Sequence, residues 1–227
     1  MIPKSIYMTH ESFDRISSKK KTIKCVNSWK KYPNYEFIFH DNKMREQFIK
    51  QHFDESVLNA YNKFPMGVMK ADLWRYCVIY INGGIYADSD AECLCNPSEF
   101  MDNEALIVMA PENGNNFFCQ WTFAAPAKSP ILKEIIDLCV YRALNWEIKG
   151  EHIIHGITGP AMFTDAIKSY LTKNNLKTFD KCIDYVDYPS KIMKVFSPKI
   201  FHTKMICHHF AGDDADGWKK ERKGILF

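Results

Sequence analysis

The chain has 227 residues, 46% hydrophobic and 25% charged, with a formal net charge of +3. That composition is globular and excludes a disordered, collagenous or fibrous chain. At roughly 150 residues per domain the length favours one large domain over residues 1–227, able to bury a core without disulfides, and so mild a charge gives no ground for a nucleic-acid partner.

Strand-like and helix-like segments alternate along the sequence, the pattern of an α/β class. Residues 2–7 read as a first strand, and 22–31 as a helix stopped by Pro33. Residues 35–40 are aromatic and β-branched, a second strand. Asp41 and Asn42 can cap a helix over 43–51, and a short helix follows over 55–62. Residues 68–81 are apolar nearly all round, which predicts a buried helix, with Gly83 and Gly84 ending it. Strands are expected over 85–88, 105–110 and 117–125. Ser129 as N-cap and Pro130 at the first helical position open a long helix ending near Trp146. Gly159 and Pro160 lead into a helix reaching Leu171, and late strands are expected over 192–196 and 205–209.

The eight cysteines are scattered and include no C-x-x-C pair. Free buried thiols in a reducing compartment are therefore expected, and a zinc ribbon is not. The longest strongly apolar stretch, 71–81, contains Asp72 and Arg75, whereas a membrane span needs about 20 apolar residues. The N-terminus lacks the charged-then-apolar pattern of a signal peptide. The expectation is a soluble, cytoplasmic protein without a transmembrane segment.

The chemistry concentrates in residues 85–92. In an extended chain Asp88 and Asp90 project to the same side. Two carboxylates so placed repel unless a cation sits beside them, and oxygen ligands suit Mg²⁺ or Mn²⁺. Asp72 and Arg75 lie three apart on one face of the helix just upstream. They read either as a structural ion pair or as contacts to a sugar hydroxyl and a phosphate, and the two roles can coexist. His208 and His209 are adjacent, so on a strand only one faces a given side. An imidazole beside two carboxylates favours Mn²⁺. Asp213, Asp214 and Asp216 read as a solvated acidic loop, and Trp218 is a candidate for stacking on a base or sugar.

These residues form a recognisable constellation. Lys70-Ala-Asp-Leu-Trp-Arg75 followed by Asn82-Gly-Gly-Ile-Tyr-Ala-Asp-Ser-Asp90 resembles the D-x-D segment of glycosyltransferase family 32. That group includes the yeast initiating mannosyltransferases, bacterial capsular-polysaccharide transferases and relatives among clostridial toxin domains. Weaker landmarks at 2–6, 28–29, 34–37, 158–160 and 209–212 extend the resemblance over nearly the whole chain. It implies a GT-A fold, a single Rossmann-like α/β/α nucleotide-sugar-binding domain, and a metal-dependent retaining transferase. A sugar would pass from a nucleotide-diphosphate donor, UDP-sugar favoured over GDP-sugar, to a glycan or to a protein or lipid hydroxyl.

By the same resemblance Asp72, Arg75, Asp88 and Asp90 are the catalytic residues. Tyr7, Thr9, Tyr86 and Trp218 join Asp72, Arg75 and Asp88 in donor binding, and His209 joins Asp88 and Asp90 as third metal ligand, with His208 the alternative. The chain departs from the family where Tyr7-Met-Thr-His10 ends the first strand and where residues 213–217 separate Gly212 from Trp218. Two other readings stand beside this one. A haloacid-dehalogenase-type phosphatase would use Asp88 and Asp90 as nucleophile and acid, although its motif follows a first strand and carries Thr or Val where this chain has Glu92. A non-catalytic nucleotide-sugar-binding module is the other.

Overall fold

The computed structural model describes residues 1–147, 149–150, 152–210 and 219. The strands are β1 (Ser5–Thr9), β2 (Glu36–His40), β3 (Gly84–Ala87), β4 (Ala91–Cys93), β5 (Val108–Met109), β6 (Thr122–Ala125), β7 (Lys194–Val195) and β8 (Ile206–His208). Six of them form one sheet in the order β2-β1-β3-β6-β5-β7, and β4 pairs with β8 in a second, two-stranded sheet. β1 is parallel to both β2 and β3, whereas β6 runs antiparallel to β3 and to β5.

The helices are α1 (Phe13–Ser17), α2 (Lys20–Lys30), α3 (Asn42–His52), α4 (Glu55–Lys63), α5 (Gly67–Asn82), α6 (Pro130–Asn145), α7 (Ile153–Ile157) and α8 (Pro160–Lys173). Alternation along each strand sorts the apolar side chains onto two faces. Tyr7, Tyr86, Met109 and Phe123 enter one cluster, shared with α3 to α8. Ile6, Met8, Ile85 and Val108 enter the other, with Val26 and Trp29 of α2, Phe100 and Phe201. The result is an α/β/α sandwich with a core on each side of the sheet.

α5 matches its all-round apolar pattern, being buried at every position from Ala71 to Ile79. It ends where the chain must turn sharply back into β3. Gly83 has φ +69° and Gly84 φ +110°, and a Cβ on Gly84 would lie 2.6 Å from the Ser5 carbonyl oxygen. Glycine permits both the left-handed backbone and the close approach of β3 to β1. That junction sets the register of the strand leading to Asp88.

Asp41 caps α3 as its sequence predicts, accepting from the Met44 N–H at 2.8 Å. Ser129 does not cap α6; its hydroxyl donates to the Leu106 carbonyl at 2.6 Å. The expected strands at 105–110 and 117–125 are shorter, because the chain there continues as a hairpin beyond the sheet. The short helices α1 and α7 lack a periodic pattern long enough to be read from sequence. All eight cysteines are free thiols. Among the described residues no helix is long and apolar enough to cross a membrane.

Candidate active site

Asp88, Ser89 and Asp90 form a turn between β3 and β4. The Asp88 N–H donates to the Trp121 carbonyl at 2.8 Å, and the Ala91 N–H donates to the Asp88 carbonyl at 2.9 Å. A turn, rather than the expected extended spacing, brings the two carboxylates together. β8 then lies antiparallel to β4 with His208 opposite Ala91. This register delivers the His208 imidazole, whose Nε2 lies 3.2 Å from Asp90 Oδ1 and 4.0 Å from Asp88 Oδ2. One ligand atom from each of Asp88, Asp90 and His208 falls within 4.8 Å of the others. Two carboxylates and an imidazole are a donor set that fits Mn²⁺, so these residues can hold the implied cation.

His208, rather than the expected His209, is the imidazole placed beside the two aspartates. Neighbouring side chains leave an extended backbone on opposite sides. The His209 Nε2 sits 2.8 Å from Glu92 Oε2, and Lys24 pairs with the same carboxylate at 2.9 Å. His208, the alternative, occupies the position beside Asp88 and Asp90. Burial would lower its pKa, but the hydrogen bond and charge of Asp90 outweigh that and raise it. Burial raises the pKa of Asp88 against the pull of Arg75.

Arg75 links the buried helix to this turn. Its Nη2 lies 2.9 Å from Asp72 Oδ1 and 3.2 Å from Asp88 Oδ1, and its Nη1 donates to the Gln120 carbonyl at 3.2 Å. The guanidinium rests over the Tyr86 ring at 4.6 Å, and the Tyr86 hydroxyl donates to Asp88. Burial acts to lower the Arg75 pKa, and the charges of Asp88, Tyr86 and Asp72 overcome it and raise it. Burial pushes Asp72 up to about 6, with Arg75 opposing. Arg75 remains a cation throughout.

Asp72 is held from two further directions. The Thr158 hydroxyl donates to Oδ2 at 2.7 Å, and the Gln120 side-chain amide to Oδ1 at 3.3 Å. The Tyr76 hydroxyl bonds to both Gln120 Oε1 and the Thr158 carbonyl, the latter at 2.7 Å. This buried network fixes α5 against the segment before α8. The Asp72–Arg75 pair is a buried structural ion pair, and both residues also line a cavity of about 370 Å³ with Asp88, Asp90 and His208.

Tyr7, Thr9 and Tyr86 are not among the residues lining that cavity. Tyr7 is buried, and the Thr9 hydroxyl donates to the His40 carbonyl at 2.6 Å while accepting from Arg45 at 3.1 Å. Tyr86 instead contacts Arg75 and Asp88. Trp218 and the acidic residues of 213–216 lie outside the described residues.

The lining residues not singled out from sequence include Glu112, Gln120, Trp121 and His202. Burial pushes the Glu112 carboxyl up to about 7, with His208 opposing. Nothing local in the sequence marks a lone Glu or Gln in a loop. The Thr-Gly-Pro landmark at 158–160 was the available signal for the Asp72 network.

An α/β/α sandwich with a D-x-D turn at the carboxyl end of a parallel strand defines a GT-A fold. A solved structure, the PaToxG glycosyltransferase, superposes with a TM-score of 0.55 at 17% identity, covering 75% of this chain and 70% of that one. Part of the chain is similar to the D-x-D sugar transferases: the family model described as "Glycosyltransferase sugar-binding region containing DXD motif" matches residues 19–107. The initiation-specific alpha-1,6-mannosyltransferase of Schizosaccharomyces pombe is 29% identical over 201 residues, covering 75% of this chain and 49% of that protein. Its Candida albicans counterpart is 27% identical over 210 residues, covering 77% and 54%. The chain spans about half the length of these curated relatives.

Proposed function

We propose that this chain is a Mn²⁺-dependent, retaining glycosyltransferase that moves a sugar from a nucleotide-diphosphate donor to a hydroxyl acceptor. The observation that carries the reading is the convergence of Asp88, Asp90 and His208 within 4.8 Å, beside an Arg75 already bridging Asp72 and Asp88. When bound there, a divalent cation supplies charge neutralisation for a departing pyrophosphate. Arg75 faces the same developing charge as a fixed, largely buried cation, where such stabilisation is strongest. Asp72, oriented by Thr158 and Gln120, offers a carboxylate oxygen to a donor sugar hydroxyl. Asp88 and Asp90 are occupied with Arg75 and His208, which favours a front-face route over double displacement through a carboxylate nucleophile. In that route the leaving phosphate takes the proton of the acceptor hydroxyl. Eight free thiols suit a reducing compartment, consistent with a cytoplasmic enzyme built as one GT-A unit.

UDP-sugars and GDP-sugars are both candidates, and the mannosyltransferase names of two relatives put a mannosyl donor beside the UDP-sugars first expected. A panel of nucleotide sugars with Mn²⁺, read by release of free nucleoside diphosphate, tests the proposal. Release from at least one donor is expected. No release from any donor, with or without acceptors, would refute it.

A further inference from the structure

We propose that Cys95 is an oxidation site at which hydrogen peroxide forms a sulfenic acid and the Cys93 thiol then closes it as a reversible disulfide. Cys93 ends β4, the strand that follows the D-x-D turn, and Cys95 lies two residues beyond. Neither cysteine lines the active-site cavity, so the site goes beyond the transferase reading.

Residues two apart on a strand share a face. Fully extended, their Cα atoms would stand roughly 6.6 Å apart, near the long limit of what a disulfide spans. Here the strand stops at Cys93 and the chain bends at Cys95. The bend brings the two side chains together. The Cys93 thiol donates to the Cys95 carbonyl at 3.1 Å, and the two thiols share a hydrogen bond. α2 and the residues after it hold the backbone in this form. The Cys93 N–H donates to the Ser28 hydroxyl at 2.8 Å, and the Tyr32 hydroxyl donates to the Cys95 carbonyl at 2.8 Å.

The two thiols are unequal. Cys93 is buried and Cys95 half-buried, so a small oxidant reaches Cys95 first. The bond from Cys93 holds the Cys95 thiol below its ordinary pKa, with burial opposing. The same bond, helped by burial, pushes the Cys93 thiol up. Burial pushes Cys25 and Cys182 up to about 12. An accessible, acidified thiol beside a second thiol is the arrangement of redox-sensing cysteines. The Cys95 thiolate attacks one peroxide oxygen, the O–O bond breaks, and the departing hydroxide takes a proton to become water. The Cys93 sulfur then attacks the Cys95 sulfenic sulfur, the S–O bond breaks, and the second water leaves with the Cys93 proton. Two thiols are oxidised and one peroxide is reduced to two waters. With Cys95 no longer a thiolate, the Cys93 proton is no longer held against a negative charge. In a reducing compartment such a bridge is transient.

The bridge shortens the span across Leu94, whose N–H donates to the Met205 carbonyl at 2.8 Å just before β8. In the β4–β8 ribbon Cys93 lies opposite Ile206, and Ala91 opposite His208. Oxidation therefore loosens the register that brings His208 to Asp88 and Asp90, and weakens cation binding there. This consequence, unlike the bridge itself, rests on the cation reading above.

The test uses the full chain, reduced and then treated with hydrogen peroxide, followed by intact mass, peptide mapping and calorimetric Mn²⁺ titration. Loss of two hydrogens, a Cys93–Cys95 linkage and recovery of the parent mass with dithiothreitol are expected. Cys93→Ala should stop at the Cys95 sulfenic acid, trapped by dimedone, and Cys95→Ala should form neither product. Mn²⁺ affinity should fall at least about tenfold on oxidation of the parent chain and stay unchanged on treatment of Cys95→Ala. No bridge under peroxide that oxidises glutathione, or a bridge mapped to another pair, overturns the proposal. A Cys93–Cys95 bridge with unchanged Mn²⁺ affinity overturns the coupling to His208 alone. Absence of Mn²⁺ binding by the reduced chain overturns the cation reading and the coupling with it, while the bridge is still decided by mass.

Discussion

Arg75 reaches from α5 to the turn after β3 and sets its Nη2 3.2 Å from Asp88 Oδ1. The same nitrogen holds Asp72 at 2.9 Å. One planar guanidinium therefore ties a fully buried helix carboxylate to a member of the D-x-D pair. The side chain that neutralises the buried Asp72 is thus also in contact with the D-x-D turn.

Substitution at Arg75 separates the two roles. Arg75→Ala strands the buried Asp72 carboxylate and is expected to cost about 3–5 kcal/mol in urea unfolding. Arg75→Lys keeps the charge but loses the fork, so it should retain more stability while lowering turnover by at least about tenfold. Equal stability and turnover in both variants would contradict the bridge.

The histidine assignment is tested by cation affinity. His208→Ala removes an imidazole beside Asp88 and Asp90, and should weaken Mn²⁺ binding in calorimetric titration by at least about tenfold. His209→Ala removes a partner of Glu92 instead, and should leave Mn²⁺ affinity close to that of the unsubstituted chain. The reverse order would restore His209 as the ligand.

Thr158 orients Asp72 from the opposite side to Arg75. Thr158→Val keeps the shape and removes the hydroxyl, leaving a buried acceptor unsatisfied at a cost of about 1–3 kcal/mol. Thr158→Ser should recover most of that loss in thermal unfolding. Equal melting temperatures for the valine variant and the parent chain would argue against a stabilising bond.

Glu112 gives the stability a pH dependence of defined sign. Its folded pKa, pushed up to about 7 by burial, lies above the unfolded value of 4.5. The folded state then binds the proton more tightly, so the contribution is fully present below the unfolded value and is lost as pH rises through about 7. Unfolding free energy measured by denaturant should fall across that window, and Glu112→Gln should flatten the fall. An identical slope in the variant would place the titrating group elsewhere.

Much of the fold was legible because its elements carry strong local signals. The all-round apolar run of α5, the Gly83–Gly84 break and the Asp41 cap each follow from one residue's physical preference. The D-x-D pair and Asp72–Arg75 were equally visible, as charges embedded in apolar surroundings. Which of His208 and His209 faces the aspartates was hidden because it depends on the register of β8 against β4, a long-range pairing. Glu112, Gln120 and Trp121 were hidden for the same reason: a hairpin and a strand end carry them to the cavity, and no local pattern announces it. Ser129 showed the opposite failure, a good cap residue whose hydroxyl was taken by a tertiary partner, Leu106.

The central claim is that the Asp88–Asp90–His208 group holds the cation that the transfer requires. Nucleoside diphosphate release, followed with and without Mn²⁺ in the parent chain and in Asp90→Asn, tests it most directly. Mn²⁺-dependent release by the parent chain, abolished in a variant that still unfolds cooperatively, is the expected result. Release that is unchanged in Asp90→Asn, or that proceeds equally after chelation of the metal, would contradict it.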